Sequence, residues 1–218
     1  MKIIGVTGLI GSGKGTVADF LIEDGFLKIS FADALKDACA VMFGWDREML
    51  EGATDESRAW REKEDLFWSE RLRKPGFSPR QALQMMGTEA GRDVFGDDIW
   101  IAGVEKKILE RQENYKEPAG VVLPDTRFAN EIDMIKRLGG TIVRVERGER
   151  PDWWPVAFTT NKNLANTQEV DTSKIDAIIH PSESRWIGVD EPDHVIFNNF
   201  DLNTLKACAE QLAKTESV

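Results

Sequence analysis

The chain of 218 residues has only two cysteines, two histidines and one tyrosine, and it is short of positive charge, with 28 Lys and Arg against 38 Asp and Glu. Cys39 and Cys208 lie far apart, so neither a disulfide framework nor a CxxC redox or metal motif is available, and both read as reduced core residues. His180 and His194 lack the acidic or cysteine neighbours of a zinc site, so no transition metal is expected. The formal charge of −10 argues against a protein that coats nucleic acid or anionic lipid. Any anionic ligand must be held by a local cluster of positive groups. Apolar runs such as Ile3-Ile4-Gly5-Val6 fall far short of the roughly 20 residues needed to span a bilayer, and the first residues form no signal-peptide core. The chain reads as cytoplasmic, without repeats or low-complexity tracts.

What is present is 41% hydrophobic sequence, enough for a full core, in which β-like runs alternate with helix-like segments. The fold expected is α/β, a parallel sheet covered by helices. Lys2 to Thr7 reads as a strand, followed by a glycine-rich turn and a helix carrying Val17, Phe20 and Leu21 at helical spacing. Phe26 to Phe31 predicts a second strand, and Ala32 to Phe43 a helix with Ala34, Leu35, Ala38 and Val41 facing inward. From Gly44 to Pro75 the chain is rich in Glu, Arg and Trp, which suggests a mobile helical insertion with its acidic stretch in solvent. Ser78-Pro79 starts a helix running to Gly87, and Asp97-Asp98 opens another with Ile101, Val104 and Ile108 in one stripe. Val121 to Leu123 is a buried strand ending at Pro124-Asp125, Phe128, Ile132 and Ile135 mark a helix, and Thr141 to Val145 is the next strand. Residues 147 to about 190 hold prolines and aromatic anchors with little periodicity, a long irregular excursion. His194 to Phe197 predicts a last strand, and Leu202, Leu205, Cys208 and Leu212 a closing helix.

The strongest signal is Gly8-Leu9-Ile10-Gly11-Ser12-Gly13-Lys14, a G-x-x-x-x-G-K loop between a predicted strand and a predicted helix. Backbone N–H groups from Gly11 to Thr16 can converge on phosphate oxygens, and Lys14 can reach the outer phosphates of ATP. Gly15 stands where a Ser or Thr metal ligand is common, with Thr16 after it. The GSGKGT sequence looks like the loop of nucleoside monophosphate kinases of the adenylate kinase type, in which Mg²⁺ is held largely by phosphate oxygens and water.

A hydrolase must orient a water, usually with a glutamate beside the metal-binding aspartate. Here the strand ends Asp125-Thr126-Arg127, so Asp125 can face a metal while Thr126 offers no carboxylate. A kinase acting on a phosphate monoester needs neutralisation of two facing anions instead. Arg80, Arg127, Arg147, Arg150 and Arg185 are candidates for that work; Arg150 and Arg185 are equally readable as ion-paired surface residues.

Several segments together resemble the deoxynucleoside monophosphate kinases of tailed bacteriophages: GSGKGTVADFL at 11–21, FADALKDA at 31–38, SPRQALQMMGTE at 78–89, DDIWI at 97–101, LPDTRFANEID at 123–133, GGTIVRV at 139–145, HPSES at 180–184 and DHVIFNN at 193–199. The resemblance implies a single P-loop kinase domain: a core of about 1–43, 97–146 and 191–218, an acceptor-binding insertion of about 44–96 and a lid of about 147–190. It implies transfer of the ATP γ-phosphate to a deoxynucleoside monophosphate, with Mg²⁺, often as a homodimer, in host cytoplasm if phage-encoded, with no nucleic-acid or membrane partner. Residue by residue it makes Gly11, Ser12, Gly13, Lys14, Gly15 and Thr16 the ATP site, and Lys36, Arg80, Gln84, Trp100 and Arg127 acceptor-binding. Lys14, Asp125, Arg127 and Arg147 become the transfer centre, with Asp125 on Mg²⁺ directly or through water. Members of that family commonly carry Asp at the position of Gly15. Trp100 reads equally as core, Trp153-Trp154 as packing or base stacking, and Ser182 and Glu183 as a helix cap or a nucleotide contact. Two other functions are compatible with the loop: a kinase of another small phosphorylated acceptor such as phosphomevalonate, and a P-loop regulatory module that hydrolyses ATP slowly while gripping nucleic acid.

Overall fold

A computed structural model describes residues 1–113, 119–166 and 170–214. Five parallel strands, β1 (Lys2–Thr7), β2 (Phe26–Lys28), β3 (Gly120–Leu123), β4 (Thr141–Glu146) and β5 (His194–Phe197), lie in the order β2-β3-β1-β4-β5. The chain fills one side of β1 with β3 and β2 and then returns to the other side with β4 and β5, so strand order reverses at β1. In open α/β sheets ligands bind outside the carboxyl ends of the strands at such a reversal.

β1 and β3 are buried on both faces, as parallel strands with helices on each side must be. Alternation along β1 assigns the faces. Ile4 and Val6 join Val17, Ala18 and Leu21 of α1 (Lys14–Glu23) and Leu205, Ala209 and Leu212 of the closing helix Leu202–Lys214 in one cluster. Gly5 turns the other way, toward Ile135 of the helix Ala129–Arg137, where an added Cβ would stand 2.6 Å from that side chain.

The chain divides into two compact units, residues 1–30 with 105–218 and residues 31–104. The first holds the whole sheet. The second contains α2 (Asp33–Phe43), α3 (Arg47–Glu51), α4 (Asp55–Glu62), α5 (Leu66–Leu72), α6 (Pro79–Gly87), a π-helical turn Thr88–Arg92, α7 (Asp93–Phe95) and the start of α8 (Ile99–Glu113). Trp45, Trp60 and Trp68 form an aromatic cluster there with Phe43 and Phe77. Phe43 stacks on Trp45 at 4.5 Å, meets Trp68 edge-on at 5.2 Å and touches Phe77, and Trp45 meets Trp60. Two of the indole N–H groups have partners, Trp45 in Asp65 and Trp68 in the Phe43 carbonyl. Around this core Arg47 bridges Asp33, Asp37 and Glu51, and Glu51 also pairs with Lys36.

Four expectations need correction. The second strand stops at Lys28 and does not reach Phe31. In α2 the buried residue is Cys39, while Val41 is 87% exposed, because the helix buries a narrower stripe than its apolar content suggests. In the closing helix Leu202 is exposed and Cys208 only half-buried, with Ala209 taking the core position. The excursion after β4 is not irregular: it contains the twelve-residue helix α10 (Trp154–Ala165), then α11 (Ser173–Asp176) and α12 (Pro181–Ser184), with α9 for Ala129–Arg137 and α13 for Leu202–Lys214 completing the set. Its buried positions Trp154, Ala157 and Asn161 keep helical spacing, but one of them is polar, which hid the stripe. Residues 167–169 of this excursion lie outside the described residues.

Candidate active site

β1 delivers the chain to the phosphate loop with Gly8 against β4: φ is +146° and a Cβ there would stand 2.4 Å from the Val145 carbonyl oxygen. Gly13, at φ +103°, begins α1, and the side-chain amide of Asn198 packs so close that no larger residue fits. That amide donates to the Ser12 carbonyl at 2.8 Å, fixing the loop from the end of β5. The cap of α1 uses no side chain, which leaves backbone N–H groups as the local donors for an anion. Ser12 is buried, and its hydroxyl has no hydrogen-bond partner among the described residues.

Lys14 donates from Nζ to the carbonyls of Gly8 (2.6 Å) and Leu9 (2.7 Å). Burial, and next the nearby Arg127, bring its pKa down to about 8, while Glu183 opposes them. Arg127 sits on the turn after β3, and its guanidinium donates to the Glu183 carboxylate and, at 3.3 Å, to Ser182 Oγ. The other Glu183 oxygen accepts the Ile10 N–H at 3.1 Å. Glu131 holds the turn from behind. It is 6% exposed and accepts the N–H groups of Arg127 (2.6 Å) and Phe128 (3.1 Å). Burial pushes its carboxyl up to about 7, against the pull of those two donors. Asp125 accepts a hydrogen bond from Ser30 Oγ at 2.5 Å, and the buried Thr126 spends its hydroxyl on the Leu123 carbonyl.

The phosphate loop and Arg127 border an open pocket of about 580 Å³, within the range of small-molecule sites. Ile10, Gly11, Gly13 to Thr16, Arg127 and Arg147 line it, and Asn198, Phe200, Leu202 and Leu205 complete the lining. Arg147 is exposed and makes no ion pair among the described residues. Its neighbour Glu146 is already engaged by Arg144 and Arg150. Arg150 also lies over the Trp154 ring, and Arg185 pairs with Asp176, so both serve the packing of this segment. Trp154 is buried edge-on against Trp186.

The expected acceptor residues Lys36, Arg80, Gln84 and Trp100 belong to the second unit. Lys36 is tied to Glu51 at 2.9 Å, Arg80 lies 3.3 Å from Glu62 on the surface, and Gln84 is exposed. Trp100 is half-buried against Gly91 and donates its indole N–H to the Gly87 carbonyl at 2.9 Å. Asn198 and Phe200 were missed as site residues in the sequence. The available signal was their position just past a strand end, the same edge that carries the loop and Asp125.

No family model matches the chain. A protein of Acanthamoeba polyphaga mimivirus named as a deoxynucleotide monophosphate kinase is 38% identical over 156 residues, covering 67% of this chain and 75% of that protein. The deoxynucleoside-5'-monophosphate kinase of Escherichia phage T5 is 32% identical over 130 residues, 59% of this chain and 43% of the phage protein, so the match spans less than half of that longer relative. Among solved structures, dephospho-CoA kinase from Campylobacter jejuni aligns over 100% of this chain and 98% of its own with 14% identity and a TM-score of 0.49. TT1252 from Thermus thermophilus aligns over 99% of this chain and 98% of its own with 20% identity and a TM-score of 0.43. Those two likenesses bear on neither substrate nor residue roles. The mimivirus relative, with its identity and coverage, decides the assignment: the chain belongs to the deoxynucleoside monophosphate kinase family.

Proposed function

We propose that the chain transfers the γ-phosphoryl group of ATP to a deoxynucleoside monophosphate, giving the deoxynucleoside diphosphate and ADP. The observation that carries this reading is the single pocket in which the phosphate loop, Lys14, Arg127 and Arg147 converge. The protein is acidic overall, yet these three cations are gathered at the carboxyl edge of the sheet, where two polyanions would have to meet. In the reaction a phosphate oxygen of the acceptor attacks the γ-phosphorus while its bond to the bridging oxygen of ADP breaks, so the protein need supply no strong base. Lys14 follows the transferring group, and Arg127 and Arg147 neutralise the charge spread over its oxygens. Phe200 and Leu202, exposed apolar side chains in the pocket lining, offer a seat for the donor base.

Mg²⁺ suits the donor set, since Asp125 and Ser30 present hard oxygens beside the transfer turn and Mg²⁺ takes its remaining ligands from phosphates and water. When bound it would offset charge on the donor phosphates. We assign acceptor binding to Lys36, Arg80, Gln84 and Trp100 of the second unit together with Arg127, and the lid role to residues 147–190. We further propose a homodimer, active in the cytoplasm, that takes nucleotides as partners and does not bind nucleic acid. No helix among the described residues is long and apolar enough to cross a membrane.

The test is a coupled ADP-release assay with ATP and Mg²⁺ against the four deoxynucleoside monophosphates, modified pyrimidine monophosphates, ribonucleotides and phosphomevalonate, with Lys14→Ala as control. Turnover with at least one deoxynucleotide, falling at least about 10²-fold in the control, is expected, equivalent to about 2.7 kcal/mol of transition-state stabilisation. Turnover with phosphomevalonate alone would replace this reading by that of a different small-molecule kinase.

A further inference from the structure

We propose that Glu183 is a built-in occupant of the donor's phosphate subsite, a carboxylate that the nucleotide must displace before Arg127 and the loop can engage it. The inference rests on the donor-site reading above and deepens it by naming the residue that sets donor affinity.

The geometry is specific. One Glu183 oxygen accepts the N–H of Ile10 in the phosphate loop at 3.1 Å, and the other accepts from the guanidinium of Arg127. A carboxylate and a phosphate group recruit the same partners, backbone N–H groups and guanidinium donors. The Ile10 N–H and the Arg127 fork therefore cannot serve Glu183 and a phosphate at full strength together. Lys14, the third cation of the pocket, also feels this carboxylate, which opposes the lowering of its pKa.

The carboxylate does not arrive there as a loose surface side chain. It is 16% exposed and projects from α12, a short turn clamped at several points. His180 Nδ1 accepts the Ser182 N–H at 3.2 Å and caps the turn, so Glu183 is not needed for capping. The buried Asn161 amide donates to the carbonyls of Ser184 (2.7 Å) and Ile187 (2.9 Å) immediately after it. The backbone is thus held in place, and rotation of one side chain suffices to clear the subsite. Once displaced, Glu183 releases Arg127 to the incoming phosphate, so donor binding and arming of Arg127 become one event. When the competent form is a fraction of molecules, apparent affinity falls by that fraction.

The experiment measures binding of ADP and of inorganic tripolyphosphate by calorimetry, and steady-state kinetics with ATP, for the wild type, Glu183→Gln and Glu183→Asp. Glu183→Gln keeps shape and removes charge. The shorter Glu183→Asp cannot span Ile10 and Arg127 together. Both should bind ADP and tripolyphosphate about 3- to 10-fold more tightly than the wild type, as expected if roughly a tenth to a third of wild-type molecules have the subsite clear. The KM for ATP should fall in step. Affinity unchanged or weakened in both variants, with thermal unfolding showing them folded, would overturn the proposal and leave an ordinary ion pair. A loss confined to kcat would overturn it too, making Glu183 part of the transfer step. If Glu183→Gln does not fold, Glu183→Asp decides by the same readouts. A wild type that binds neither ADP nor tripolyphosphate would instead sink the donor-site reading, an outcome distinct from variants that bind as the wild type does.

Discussion

Ser30 Oγ donates to Asp125 Oδ2 at 2.5 Å, tying the chain that leaves β2 to the turn that leaves β3. The bond holds one carboxylate on the turn just past the carboxyl end of β3. Asp125→Asn keeps an acceptor for Ser30 and removes the charge. We expect kcat to fall by about 10²-fold, about 2.7 kcal/mol, with steeper Mg²⁺ dependence, while calorimetry still finds the deoxynucleotide bound. Collapse of acceptor affinity with unaltered Mg²⁺ dependence would move Asp125 from the metal to the acceptor pocket.

Asn161 is 2% exposed and satisfies two carbonyls that close the turn bearing Glu183. Asn161→Ala would leave both acceptors buried without this donor, a loss of about 1–3 kcal/mol. For a chain of this size each kcal/mol lowers Tm by about 2–4 °C, so thermal unfolding should show a drop of several degrees. An unchanged Tm would mean that the carbonyls find another donor and that α10 does not anchor α12.

Asn161 also shows where sequence reading stopped. Four of the five strands, the phosphate loop and α6 with its Ser78 cap were legible because each rests on a local rule: a short apolar run, glycine at positive φ, a cap three residues before its N–H partner. Lys14, Arg127 and Arg147, expected together, line one pocket because each lies in a segment that follows a strand. By contrast, α10 buries an amide for partners 23 and 26 residues away, and no local pattern carries that. The aromatic core of the second unit is likewise built from Phe43, Trp60 and Trp68 of three helices and Trp45 and Phe77 of connecting segments, so the composition was visible but the cluster was not. The pairing of Glu183 with Ile10 and Arg127 joins residues 173 and 56 positions apart and could be known only from the fold.

Glu51 gives the second unit a pH signature. Burial alone would raise its carboxyl, but hydrogen bonds from Arg47 and Lys36 outweigh burial and hold it at about 2, below its ordinary value of 4.5. A depressed folded-state pKa contributes stability that is present above the unfolded value and is lost as pH falls through the folded one. Between about pH 4.5 and 2 the wild type should therefore lose stability more steeply than Glu51→Gln, which has nothing to protonate there. Urea midpoints measured at several pH values test this, and parallel curves for the two proteins would show that the cluster adds nothing to pH-dependent stability.

Arg147 is the cation of the pocket with the least structural employment. It follows β4 directly, it is exposed, and the carboxylate beside it in sequence, Glu146, is taken by Arg144 at 2.7 Å and Arg150 at 2.8 Å. A surface ion pair with Glu146 is therefore not its role. An arginine that borders the phosphate loop without an ion-pair partner among the described residues can contribute most when charge accumulates on the transferring group, a moment that ground-state binding does not sample. Arg147→Ala should lower kcat by about 10- to 100-fold, or about 1.4–2.7 kcal/mol, and raise the KM of either substrate by a smaller factor. Thermal unfolding should be nearly unaffected, because surface substitutions away from packing or networks stay within about 0.5 kcal/mol. Arg150→Ala is the matched control: it breaks the pair with Glu146 and the contact with Trp154, so its effect should appear in Tm more than in kcat. If Arg147→Ala turned over at the wild-type rate, Arg147 would leave the mechanism and the charge of the transfer would fall to Lys14 and Arg127 alone.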